Sequence, residues 1–336
     1  MGNYSEADDQ LMRCWPCFEN LPGPQTDTWL HHRSRGVKDR GGQSMAAFYA
    51  PKGLLPHRRT IYLVPVLCDV AEAPPLAELV AIVHACYSLP VRLLRPPAEL
   101  ESIRLDREGA GYGPRLDTSD VLSLLEKCKP HDAFTVVGLT MLDLRDGSKH
   151  AEGGVPVVGL ANAATGVGVV TFARYRVVRS TVTIGDQVLE GYVSGKPDQA
   201  TFTRRCAMTL CHEIGHLLGI HHCVFARCLM NGSGHLGEAE GRPFQLCPID
   251  AKKWLSALSG MLRGTKLDGS GSKLEGGGGM GSKLGGGSSM GSSDLVLNLE
   301  RRERAMLAAF ERSGLAADAA LSRRRLEALE AGAGCV

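Results

Sequence analysis

The chain has 336 residues, of which 43% are hydrophobic, and a formal net charge of +2. That length suits one large domain or two ordinary ones, with enough apolar residues for a sizeable core. The near balance of charge excludes a global electrostatic pull toward nucleic acid or membrane, and no apolar run is long enough to span a bilayer.

The N-terminus carries Glu6, Asp8 and Asp9 and lacks the apolar segment of a secretory leader. Glu6 also breaks the myristoylation pattern that Met1-Gly2 would begin. An intracellular protein is expected, cytoplasmic in the first instance and with the nucleus open to it. The eleven cysteines then read as core residues or metal ligands rather than disulfides.

Residues 1–26 read as irregular, and Cys14 and Cys17 as two loop thiols. Trp29 to Tyr49 has mixed helical and polar character, with Arg33–Arg40 as a solvated basic loop. Arg59 to Val70 is β-branched and apolar, the pattern of a strand buried on both faces. Pro74-Pro75 ends it. Leu76 to Tyr87 has helical spacing, and Pro90 to Leu94 is a short strand returning parallel to the first, which makes a β-α-β unit.

Residues 95–117 read as a loop. Asp117 to Lys129 predicts a helix capped by Asp117 or Thr118, with Val121, Leu122, Leu124 and Leu125 inward. Phe134 to Leu144 predicts one buried strand, with Asp143 and Asp146 as loop acids. Val155 to Ala161 and Gly166 to Tyr175 predict two more strands about the turn Asn162–Thr165. The expected class is therefore α/β, with a mixed, mostly parallel sheet of four or five strands. Residues 176–200 are polar, with a hairpin turn at Gly185-Asp186, and lead into a helix from about Gln199 through Leu218.

That helix carries the motif H-E-x-x-H-x-x-G-x-x-H: His212, Glu213, His216, Gly219 and His222. His212 and His216 lie about 40° apart around a helix and about 6 Å along it, so both rings can bind one ion. Glu213 is turned about 100° from His212, off the ligand face yet within reach of a water on the metal. Gly219 suits the left-handed residue that ends a helix, and His222 can then return as the third ligand. His221 is its rival and reads as facing the cleft or solvent. Three imidazoles leave zinc an open position for water, whose proton Glu213 accepts as general base. Met230 follows in a loop marked by Asn231-Gly232.

The run from His212 resembles the archaemetzincins, whose pattern continues past the third histidine with C, four residues, C-x-M and a later C-x-x-C. Here these positions are Cys223, Cys228, Met230, Cys247 and, at the last, Asp250. The likeness extends through Arg242-Pro243 and, more loosely, to Val136–Thr140, Gly166–Arg174, Thr28–Leu30 and the helices near 252–262 and 294–313. The resemblance implies a single metzincin-like catalytic domain with an active-site helix and C-terminal helices. It also implies a zinc metallopeptidase with Met230 below the imidazoles. A catalytic zinc would sit on His212, His216 and His222, and a second, structural zinc on Cys223, Cys228, Cys247 and Asp250. Asp in place of the fourth Cys leaves three outcomes open: Asp250 ligates, Cys206 or Cys211 substitutes, or the second site is weak. Cys206 and Cys211 otherwise read as buried helix residues.

Residues 1–263 are expected to form the catalytic domain. Residues 264–293 carry two copies of a Gly-rich decamer and read as a flexible insertion. Residues 294–336 are expected to form a helical segment packing on the domain, with Arg323–Arg325 on a solvated face. The function expected is hydrolysis of a peptide or protein substrate, including removal of N-terminal residues from short peptides. The protein is expected to be a monomer without a nucleic-acid or membrane partner. A zinc-stabilised binding or scaffold protein with a vestigial site is the alternative.

Overall fold

Apolar residues alternate between two cores along the central strands, and this alternation defines the layers. We describe a computed structural model covering residues 42–48, 54–69, 71–106, 114–147, 155–184, 187–263 and 292–330. In β1 (Thr60–Pro65), Ile61 and Leu63 enter one core while Tyr62 and Val64 enter the other. Strand β4 (Ala133–Thr140) repeats the alternation, Val137 and Leu139 against Val136. A period of two sends neighbours to opposite faces, so the sheet is covered on both sides.

That sheet has five strands in the order β2-β1-β4-β8-β7, where β2 is Val91–Leu93, β7 is Gly159–Asn162 and β8 is Val167–Thr171. The pairings of β1 with β2, β1 with β4, and β4 with β8 are parallel; β7 with β8 is antiparallel. The expected α/β class with a mixed, mostly parallel sheet is what the chain forms. Helix α1 (Leu76–Tyr87) makes the crossover between β1 and β2. The loop read over 95–117 contains a short helix, α2 (Ala98–Glu101), and β3 (Arg115–Asp117). Helix α3 (Thr118–Lys127) packs on the second face, its first turn capped by Asp117, which accepts from Ser119 N at 3.0 Å.

The run Phe134–Leu144 divides into β4 and β5 (Asp143–Asp146). Thr140 is the reason: its hydroxyl accepts from Leu142 N at 3.1 Å, bending the chain out of the ladder. Strand β5 instead joins β3 and β6 (Val155–Val157) in a second small sheet. Asp143 and Asp146 are thus strand residues, not loop acids. Asp143 is buried in a bidentate pair with Arg174, at 2.7 and 2.8 Å. Strands β9 (Val177–Ile184) and β10 (Gln187–Ser194) pair antiparallel about residues 185–186. The expected turn there lies outside the described residues, as do Cys14-Cys17, most of Trp29–Tyr49 and the Gly-rich segment up to residue 291.

Helix α4 (Gln199–Leu217) lies in the first core with α1, α6 (Pro248–Arg263) and α7 (Ser292–Arg312). Asp198 caps α4 by accepting from Thr201 N at 2.9 Å. Between α4 and α6 runs a short helix, α5 (Leu236–Glu240); α8 (Ala316–Glu330) follows α7. Side chains tie the C-terminal helices to the rest: Arg302 on α7 donates to Cys86 O on α1 at 2.8 Å, and Asp318 on α8 accepts from Arg204 on α4 at 2.7 Å. Among the described residues no helix is long and apolar enough to cross a membrane.

Candidate active site and metal centres

The C-terminal end of α4 sets the geometry of the first cluster. Gly219 has φ +82°, its N–H donates to His216 O at 2.9 Å, and Ile220 N donates to Gly215 O at 3.0 Å. This is the two-bond Schellman ending that a left-handed glycine allows. The same turn aims a ligand, because His216 Nδ1 donates to Ile220 O at 2.7 Å. His212 Nδ1 donates to Leu229 O at 2.9 Å. A carbonyl can only accept, so both Nδ1 atoms carry the proton and both Nε2 atoms are left as lone-pair donors. The two Nε2 atoms stand 3.1 Å apart.

His222 completes the group. Its ring centroid lies 5.2 Å from that of His212 and 4.7 Å from that of His216. One nitrogen from each of the three rings falls within 4.8 Å of the others, whereas His221 is exposed. Burial pushes the imidazole of His212 well below its usual range and that of His216 down to about 4. Both are therefore neutral near pH 7, the state in which imidazole binds a metal. The donor set and its protonation fit zinc.

Met230 packs against α4. Its thioether fills the space that a Cβ at Gly215, between the two helix histidines, would need. Cys223 N donates to Met230 O at 2.8 Å, which locks the loop to the chain just after His222.

Glu213 is 8% exposed. Burial pushes its carboxyl up to about 7, against the pull of the Arg242 guanidinium. The wall beside it is Gly159, the first residue of edge strand β7. A Cβ at Gly159 would lie 2.7 Å from Glu213 Oε1 and Cδ. No real side chain fits there without moving the carboxylate. Gly159→Val is accordingly expected to lower any hydrolysis at this site by about 10²-fold, the usual effect of misplacing a reacting group by about 1 Å. Elemental analysis should find the metal content unchanged.

The second cluster lies where the loop Cys223–Met230 meets the start of α6. Cys223, Cys228, Cys247 and Asp250 are all buried, and one donor atom from each falls within 4.8 Å of the others. Cys223 Sγ is 3.7 Å from Cys247 Sγ, and Cys228 Sγ is 3.2 Å from Asp250 Oδ2. Cys247 N and Met230 N both donate to Cys228 Sγ, at 3.1 and 3.4 Å. Burial pushes the Cys228 and Cys247 thiols up. At Cys223 the hydrogen bonds from those two outweigh burial and pull the thiol down. Burial, and then the neighbouring Cys223, push Asp250 up to about 7, against the pull of Lys253. Soft sulfur donors in this number suit zinc, with one harder oxygen completing the set. Cys206 and Cys211 are buried on α4 and are not part of either cluster.

The structure adds residues that spacing did not reveal. Arg242 is buried with Nη1 3.2 Å from His212 Nδ1, and it donates to Asn231 O at 2.6 Å. Gln43 clamps the helix-ending turn, donating to Gly219 O at 3.0 Å and accepting from His221 N at 3.1 Å. Lys253 pairs with Asp250 at 2.8 Å. Gln43 and Gly159 reach the site from remote sequence and leave no local signal. Lys253 is three residues after Asp250 on a helix, a spacing that brings side chains together.

Part of the chain is similar to known proteins. Residues 116–253 match the model of Peptidase family M54. The chain is 35% identical to rat Archaemetzincin-2 over 190 residues, covering 51% of this chain and 50% of that protein. It is 32% identical to human Archaemetzincin-1 over 219 residues, covering 58% and 42%. The chain thus spans about half the length of the curated relatives it matches. Among solved structures, the archaemetzincin of Methanopyrus kandleri aligns with 22% identity and a TM-score of 0.43, over 60% of this chain and 97% of that one.

Proposed function

We propose that this chain, a relative of the archaemetzincins, is a zinc-dependent metallopeptidase whose catalytic ion is held by His212, His216 and His222. The observation that carries the reading is the convergence of three imidazoles, those of His212 and His216 held neutral by burial, beside the buried carboxyl of Glu213. Zinc bound there supplies Lewis acidity, polarising a carbonyl and acidifying water. Glu213 acts as general base: it takes the proton of the attacking water and returns it to the leaving amine. The Leu229 carbonyl fixes His212, and the Ile220 carbonyl fixes His216. Met230 supports the helix between them.

Strand β7 is the edge of the five-stranded sheet and begins beside Glu213. An extended peptide pairs with such an edge through backbone hydrogen bonds, which would bring a scissile bond to the carboxylate. Cys223, Cys228, Cys247 and Asp250 are assigned to a second, structural zinc. It would brace the loop that carries Leu229 and Met230.

The test is cleavage of peptide libraries with free and with blocked N-termini. The protein is assayed as purified, after removal of metal by a chelator, and after return of zinc. Cleavage is expected to vanish with the chelator and to return with zinc. Cleavage of free N-termini alone would identify an aminopeptidase, as the resemblance suggests. A fully zinc-loaded protein that cuts neither library would overturn the assignment.

A further inference from the structure

Lysine is almost never fully buried without a partner. Lys253 is 1% exposed, and its partner is the 0% exposed Asp250, with Nζ 2.8 Å from Oδ1. Asp250 Oδ2 faces the other way, 3.2 Å from Cys228 Sγ. Phe225 lies beside the ammonium, its ring centroid 5.9 Å from Nζ, within the range of a cation–π contact. So Lys253 meets an acid on one side and an aromatic ring on another, inside the wall of the cysteine cluster.

Resting on the reading that this cluster holds a divalent ion, we propose that Lys253 is a positioning residue of that site. It holds Asp250 as a one-oxygen ligand and supplies the charge that makes aspartate workable in the place of a fourth cysteine. The geometry gives both halves of this statement. With Oδ1 bound to the ammonium, only Oδ2 is turned toward the sulfur donors, so a two-oxygen grip on the ion is blocked. Three thiolates and one carboxylate around a divalent ion leave two negative charges in a buried space; Lys253 cancels one of them. Buried charge left unbalanced is strongly destabilising. Asp250 and Lys253 therefore act as one unit, three residues apart in the first two turns of α6. Cys228 is served independently, by the N–H groups of Met230 and Cys247.

The test uses the full chain stripped with a chelator and reloaded with cobalt(II). Ions per chain are counted by elemental analysis, and the thiolate-to-cobalt absorption in the near ultraviolet is followed during titration. The wild type should bind two ions and show this absorption. Lys253→Met should keep the ion at the histidines but bind the cysteine-cluster ion about 10–100-fold more weakly, the usual cost of losing a group that orients a metal ligand. Asp250→Cys/Lys253→Met has no carboxylate to orient but keeps the charge deficit, so it should recover part of the affinity lost in Lys253→Met, with stronger thiolate absorption. This double variant keeps the test open where Lys253→Met alone fails to fold.

Wild-type affinity in Lys253→Met would overturn the role of Lys253 and leave the second ion standing. A double variant as weak as Lys253→Met would show that Lys253 does not act through Asp250, and would overturn it too. A wild type without thiolate absorption at full cobalt loading would remove the second ion itself, and the proposal with it.

Discussion

Glu213→Gln is expected to lower peptide hydrolysis by about 10²–10⁴-fold, the range that general acid–base catalysis contributes, with zinc content unchanged. That loss corresponds to about 3–5 kcal/mol of transition-state stabilisation. Glutamine has nearly the same shape, so it fits the space that Gly159 leaves open and spares the fold. It cannot take a proton. Because Glu213 lies off the face of α4 that presents His212 and His216, its loss should not disturb the metal. The measurement is kcat on a peptide cut by the wild type, paired with elemental analysis of the same samples. Full activity in a zinc-loaded Glu213→Gln protein would remove Glu213 from the mechanism. Lost activity together with lost zinc would show that the side chain serves the metal rather than the proton.

The histidine cluster was legible because its geometry is encoded locally. Helical spacing joins His212 to His216, and one left-handed glycine turns His222 back toward them. His222 rather than His221 followed from the same spacing, and the exposure of His221 agrees. The sulfur cluster was legible only through resemblance, since Cys223, Cys228 and Cys247 are spread over a loop whose path no periodicity gives. The orienting groups were not legible at all. Gly159 follows a break that divides the run Val155–Ala161 into β6 and β7, and the run itself does not show that break. Any glycine at a strand end looks alike in sequence; this one matters because a carboxylate from another element lies against it.

Strand boundaries show the same limit. Apolar β-branched runs located β1, β4 and β8, because strands buried on both faces must be apolar throughout. The run ending at Leu144 hid the bend made by the Thr140 hydroxyl. Whether such a hydroxyl turns back onto its own chain depends on neighbours such as Thr171, which donates to Leu142 O at 2.6 Å from a different strand. The C-terminal helices, too, were legible as helices but not in what they bury. Their sequence shows charged residues, and a charged face reads as solvated.

Glu303→Ala is expected to destabilise the protein by about 3–5 kcal/mol, the cost of breaking a buried ion pair from one side. Glu303 on α7 is fully buried and lies between two buried guanidinium groups: Arg302 Nη1 at 2.9 Å and Arg325 Nη1, from α8, at 3.1 Å. Gln245, in the segment between α5 and α6, donates to its other oxygen at 2.9 Å. Arg302 in turn reaches Cys86 O on α1. The network thus joins both C-terminal helices to the helix under the first core and to the chain leading into Cys247. Removing the carboxylate leaves two arginines facing each other without their shared anion, and neither has a route to water. In a chain of this size such a loss should lower the melting temperature by about 10 °C, read by circular dichroism or calorimetry on the zinc-loaded protein. Glu303→Gln keeps one oxygen for the two arginines but loses the charge and the acceptor of Gln245 Nε2, and should fall between. If the penalty is electrostatic, replacing Arg302, Glu303 and Arg325 together by Met, Leu and Met should recover most of the stability, because apolar residues of similar volume often substitute well for a buried ionic triad. A triple variant no better than Glu303→Ala would instead assign the cost to the hydrogen bonds of the arginines with Cys86 and Gln245.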